Sequence, residues 1–199
     1  DEIAKTVLPI LLNEGYEIMS SAITDTKMYI KARLPKLERE VTKGDVVQAG
    51  VTISNSEVGQ GSVSVAPFIY RLVCLNGMTI NDARLNSRHL TSSQATIDGV
   101  YEILSDESKD VVLSTTDEVR FNQNVAKMTE ATEIKIKSPT KVIEVLENRY
   151  DLSKLEGESI LENLVNRRDD NQKFANLWSV INSITALGNT MEDYDRGTK

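Results

Sequence analysis

Polar and apolar residues alternate from Lys27 to Leu34, with Lys27, Tyr29, Lys31 and Arg33 set against Met28, Ile30, Ala32 and Leu34. A period of two predicts a half-buried strand, which Pro35 is expected to end. Val46 to Ile53 reads as a second strand. Gly59-Gln60-Gly61 breaks the chain and Ser62 to Val65 resumes the β pattern, so the two segments form a hairpin with a polar tip. From Pro67 the apolar residues are Phe68, Ile69, Leu72, Val73 and Leu75. That spacing suits a helix opening near Pro67, with a buried strand as the competing reading. Asn76-Gly77 stops it. Upstream, Ile3, Val7, Leu8, Leu11 and Leu12 have helical spacing, with a kink expected at Pro9 and a stop at Asn13-Glu14-Gly15. Glu17 to Ile23 and a turn at Thr24-Asp25-Thr26 lead into the first strand.

The second half changes period. Residues 80–97 are polar and irregular and read as a loop, and 98–130 as helical and acidic. Glu133 to Lys137 alternates, as a strand or an extended linker. Ser138-Pro139 opens a helix through Leu146. Asp151 and Ser153 can cap another, with Leu155, Ile160, Leu161, Leu164 and Val165 inward. Asp170 or Asn171 can cap the last, with a stripe of Phe174, Leu177, Trp178, Ile181, Thr185 and Gly188. Strands first and helices later predict an α+β fold: a small antiparallel sheet packed with helices, then a helical C-terminal half. The expected division is an α+β core over residues 1–150 and a helical segment over 151–199 packed on it.

Composition narrows the function more than the fold. The 199 residues carry a net charge of −7, which argues against a generic nucleic-acid coat but leaves room for a local basic stripe. Cys74 is the only cysteine and His89 the only histidine, so an internal disulfide and a structural zinc site are both excluded. No apolar run is long enough to span a bilayer. The lone cysteine and the composition favour a reducing cytosol. The chain opens at Asp1 without an initiator Met and closes at Lys199 partway through a helical pattern, so it reads as a piece of a longer protein.

Common catalytic patterns are missing. There is no phosphate-binding G-x-x-x-x-G-K-[ST] loop and no dinucleotide fingerprint. A serine triad would need His89, and no nucleophile elbow surrounds any serine. Cys74 lies in an apolar run, where an inert buried thiol is the ordinary outcome. No catalytic residue, cofactor or metal is assigned.

Two features rise above background. The segment Ser54, Asn55, Ser56, Glu57, Val58, Gly59, Gln60, Gly61 and Ser62 is rich in hydroxyls and glycine. It is a hairpin tip in the plain reading, and a phosphate-binding loop with Glu57 as orienting acceptor in the functional one. Charge is also segregated: residues 27–43 carry a net +4 and residues 98–133 a net −6. Lys27, Lys31, Arg33, Arg71, Arg84 and Arg88 are therefore the candidate contacts for an anionic polymer, with Tyr29 and Tyr70 able to stack bases. For any one of these residues a solvated surface or core role is the plainer reading.

The blocks Gly44 to Gly59 and Ser62 to Met78 closely resemble the phage- and plasmid-associated "domain of unknown function 932" family. Arg88-His89, the helix Leu177 to Thr185 and Tyr194-Asp195-Arg196 continue the likeness, which spans most of the chain. The resemblance implies a mobile-element protein, often of phage. A fold-level analogy to phage single-strand annealing proteins implies a role in DNA recombination or replication. Two functions follow as expectations. One is a single-stranded DNA binding or annealing module. The other is a non-catalytic accessory protein that works through protein contacts or by forming a homo-oligomer.

Overall fold

The computed structural model describes residues 2–24, 27–55, 63–72, 76–79, 85–87, 106, 108–150, 152–166 and 175–190. Helix α1 (Glu2–Asn13) runs through Pro9 and buries Val7 and Leu11. Gly15, with φ 84°, turns the chain into β1 (Glu17–Ile23). That positive φ is costly for any residue with a Cβ. Strands β2 (Met28–Thr42), β3 (Asp45–Asn55), β4 (Val63–Arg71), β5 (Asn76–Thr79) and β6 (Leu85–Ser87) complete an antiparallel sheet in the order β1-β2-β3-β4-β5. β6 pairs with β4 beside β5, so both short strands cover the same edge of β4 at its two ends.

Three sequence expectations are corrected here. The segment from Pro67 is strand rather than helix as far as Arg71, where β4 ends, and residues 64–70 are all buried; 73–75 lie outside the described residues. A strand covered on both faces loses its alternation, so its apolar run mimics a helical one. Pro35 does not end β2. The register slips between Leu34 and Glu38, a bulge absorbs Pro35, and the strand resumes to Thr42. Proline is tolerated there because bulge positions need no ladder bond. The slip moves the inward set from even to odd positions, so Leu34 is followed inward by Leu37 and Val41. Within the expected loop over 80–97, Leu85–Ser87 forms β6, and 80–84 and 88–97 lie outside the described residues.

Residues 108–114 are helical, and α2 (Glu118–Glu133) follows after a break. Asp117 makes that break by accepting from Val119 N and Arg120 N at 2.9 and 3.2 Å, which satisfies two orphan donors at the helix start. β7 (Lys135–Ile136) pairs with β8 (Ala175–Asn176) in a two-stranded ribbon. Between them lie α3 (Pro139–Tyr150) and α4 (Lys154–Asn166). Ser153 and Glu156 form a reciprocal cap at the start of α4.

The last helix, α5 (Leu177–Thr190), starts later than expected. Its cap is Asn176, whose Oδ1 accepts from Ser179 N at 2.8 Å, rather than Asp170 or Asn171. Phe174 falls outside the described residues.

One face of the sheet carries the main core. Ile30, Ala32, Leu34, Val51, Ile53 and Val65 pack against α1, the 108–114 segment, α2 and Trp178. A second cluster joins Ile143, Ile160 and Leu164 to Ala175, Val180 and Leu187. Gly157 lets α3 and α4 approach there, since a Cβ would meet the Glu147 side chain and lie 3.1 Å from Ile143. Among the described residues, no helix is long and apolar enough to cross a membrane.

Candidate nucleic-acid interface on the open sheet face

Alternation sends every second residue of β2 away from the helices. Tyr29, Lys31 and Arg33 therefore share the opposite face, about 6.8 Å apart in sequence steps of two. Register fixes their neighbours. Lys31 lies between Ser20 of β1 and Thr52 of β3, and Tyr29 between Ala22 and Ser54. Thr52 and Ser54 are in turn opposite Ala66 and Ser64 of β4. Small side chains thus flank a basic and aromatic ridge along β2.

The ridge is braced from below. The Lys31 ammonium sits 5.8 Å from the Tyr29 ring centre and 6.0 Å from that of Phe68. Cation–π attraction at that range favours one position for the charge. Phe68 is turned across β3: a Cβ on Gly50 would lie 2.5 Å from its ring and 2.7 Å from Ala32 O. Only glycine fits at position 50, and the Phe68 ring fills the space it leaves. Tyr70 meets Phe68 edge to face at 6.4 Å. Burial pushes the Tyr70 hydroxyl above its ordinary range, and the Arg33 guanidinium pulls it partly back.

Charge changes sign along this face. Arg33 is held by Glu17 on β1, with Nε and Nη2 at 3.0 and 2.7 Å from one carboxylate oxygen. Beyond the Pro35 bulge come Glu38, which accepts from Gln48 Nε2 at 2.9 Å, and Glu40, which accepts from Gly44 N at 2.5 Å. The basic stretch is therefore the part of β2 before the bulge.

The other candidate residues lie elsewhere. Lys27 is half-buried in the turn before β2, where its backbone carbonyl accepts from Thr24 N at 2.8 Å. Ser54 is on the open face near Tyr29, while Asn55 is buried at the end of β3 on the covered side. Arg71 is also on the covered side. Its Nε and Nη2 meet Asp45 Oδ1 and Oδ2 at 2.5 and 2.8 Å, and Trp178 Nε1 donates to the same Asp45 Oδ2 at 2.8 Å. That clasp ties α5 to the ends of β3 and β4. Arg84, Arg88, Ser56, Glu57, Gly59 and Gly61 lie outside the described residues, as do Cys74 and His89. The residues that sequence reasoning missed are Gly50 and Phe68. Their signal was a glycine in mid-strand, which marks a close approach.

Among the described residues, no three His, Cys, Asp or Glu side chains converge as a metal ion requires. A cleft of about 40 Å³ lies on the covered side, lined by Ala49, Pro67, Ile69, Phe121, Arg120 and Asn124. It has room for a few waters rather than a nucleotide. On the other side of the sheet the β2 ridge is half-buried and Ser64, Ala66, Phe68 and Tyr70 of β4 are buried, so the accessible part of that face spans β1, β2 and the Thr52 and Ser54 positions of β3.

No curated protein and no solved structure matches the chain. The family model for the domain of unknown function DUF932 matches residues 5–190, nearly the whole length, and the chain belongs to that family.

Proposed function

We propose that the β1–β3 part of the sheet face opposite the helices binds single-stranded nucleic acid, as the DNA-handling module of a phage or other mobile-element recombination or replication system. The observation that carries this reading is the ridge of Tyr29, Lys31 and Arg33 on one face of β2, flanked by Ser20, Ala22, Thr52 and Ser54. Cations supply phosphate contacts without sequence preference, and small neighbours let a backbone approach them. Lys27, half-buried just before β2, and Arg84 and Arg88 are further candidate phosphate contacts by charge. Arg71 is left out, because it lies on the helix-covered side in a mostly buried clasp with Asp45, whereas the Arg33–Glu17 pair is open enough to solvent for a phosphate to compete for it.

Fluorescence anisotropy with labelled single-stranded and duplex DNA, at low and physiological salt, tests the reading. Preference for single strands, weakening with salt, is the expected result. The Lys31→Ala, Arg33→Ala variant should bind more weakly. Its slope of log affinity against log salt should be shallower by roughly 1.4, at about 0.7 per lost phosphate contact. Absence of binding at low salt, or a variant that binds like the parent, would end this reading for these residues. Arg84→Ala with Arg88→Ala asks the same of the other basic pair.

A further inference from the structure

β1 stands apart from the other strands of the sheet. β2 and β3 have both edges paired, and β4 is bordered by β3 on one side and by β5 and β6 on the other. Among the described residues no strand pairs with the outer edge of β1, which is seven residues long. An open strand edge is a row of unpaired N–H and C=O groups, and proteins commonly guard it with lysine or proline. Glu17-Ile18-Met19-Ser20-Ser21-Ala22-Ile23 has neither. It has instead an apolar side. The register slip at Met19 places Ile18 opposite Ala32 and Ile23 opposite Met28, both positions of the helix-covered face. Ala32 and Met28 are buried there, while Ile18 is 39% and Ile23 77% exposed. The core stops one strand short of covering its own edge.

We infer that β1 pairs with β1 of a second copy of this chain, antiparallel and about a two-fold axis. A strand that pairs there needs a free edge and apolar side chains on one side. β1 is the described strand that meets both conditions at useful length, since β5 and β6 have four and three residues. Charge sets the direction. Glu17 is the only charged residue in β1, and antiparallel pairing carries it to the far end from its counterpart. Parallel pairing in register would set the two carboxylates side by side, which is unfavourable.

The axis stands normal to the sheet, so both open faces lie on the same side. The two β2 ridges are then separated by β1 and its copy, three strand spacings or about 14 Å. The inference rests on the edge alone, and its test needs no nucleic acid.

Sedimentation velocity of the chain, from low to high micromolar concentration, should show a reversible dimer. Ile18→Lys with Ile23→Lys should sediment as a monomer with an unchanged circular dichroism spectrum. A parent that stays monomeric throughout, or a variant that associates like the parent, overturns the inference. Ser20→Cys provides the second line, because Ser20 lies near the axis, within about 5.5 Å of its opposite residue. Mild oxidation should link that variant into a covalent dimer, while Glu133→Cys on α2 stays unlinked. Failure of Ser20→Cys to link also overturns it. A dimer without DNA binding would remove the functional reading and leave the interface standing, and the converse result would do the opposite.

Discussion

The two faces of one sheet are built from alternate residues of the same strands, yet they obey different constraints. The covered face is aliphatic and closed. Ala32, Leu34, Val51, Ile53 and Val65 are fully buried, and a buried side chain of Val, Leu or Ile size contributes about 1.5–3 kcal/mol. A polar clasp on that side joins the Asp45 carboxylate to the Arg71 guanidinium and the Trp178 indole N–H. The other face sets the half-buried Lys31, Arg33 and Tyr29 beside the small residues Ser20, Ala22, Thr52 and Ser54, and it is closed at β4, where Ser64, Ala66, Phe68 and Tyr70 are buried. Substitutions on the first face should therefore be felt as stability. On the second they should be felt as binding, except where Gly50 and Phe68 lock together.

The sharpest way to break this contrast is Asp45→Ala. It leaves the Arg71 guanidinium and the Trp178 indole N–H without their shared acceptor in a mostly buried setting. Removing one partner of such a pair costs about 3–5 kcal/mol. Urea unfolding followed by the fluorescence of Trp178, the only tryptophan, would read the loss directly. A cost below about 1 kcal/mol would show that the clasp is surface-like.

Alkaline pH probes the same face. Burial pushes the Tyr16 hydroxyl from 10.0 up to about 12, opposed by its hydrogen bond to Thr115, with a further push from Glu14. The folded state therefore holds this proton more tightly than the unfolded chain. The associated stability is complete below pH 10 and is lost as pH rises from 10 to about 12. At about 1.4 kcal/mol per pH unit the loss approaches 3 kcal/mol. Tyr16→Phe should flatten that alkaline limb relative to the parent. At neutral pH it should cost about 1 kcal/mol, because Tyr16 Oη then no longer donates to Val112 O.

Gly50→Ala tests the exception on the open face. The new methyl would press on the Phe68 ring and on the backbone oxygen of Ala32. The ring can turn but the backbone cannot, so a loss of about 1–3 kcal/mol is expected in thermal or urea unfolding. The smallest effect on stability belongs to Lys31→Ala with Arg33→Ala. Both side chains are partly exposed, and their loss should change stability by no more than about 0.5 kcal/mol. The same unfolding experiment checks this, and a larger loss would mean that the ridge is structural.

Much of this arrangement was legible where one face of an element is dry and the other wet. Lys27 to Leu34 alternates, so both β2 and the side of Lys31 and Arg33 could be read directly. Residues 2–13 and 139–150 show helical spacing for the same reason. Reading failed where burial is two-sided or compensated at a distance. β4 is buried throughout residues 64–70 and lost its alternation, so it resembled a helix. Pro35 looked like a stop, because the bulge that absorbs it exists only once β3 is alongside. Arg71 looked like a free cation, because its partner Asp45 lies 26 residues away in sequence.

The sequence by itself determined the order of elements, the α+β segregation of strands and helices, and the alternation that puts basic and aliphatic residues on opposite sides of β2. These are local properties, set by the period at which side chains leave the backbone. Only the tertiary structure decided which cations are clasped on the helix side, where glycine must stay glycine, and which strand edge has no neighbour among the described residues. Each of those depends on what a residue meets across the sheet or beneath a helix, and no run of adjacent residues encodes that meeting.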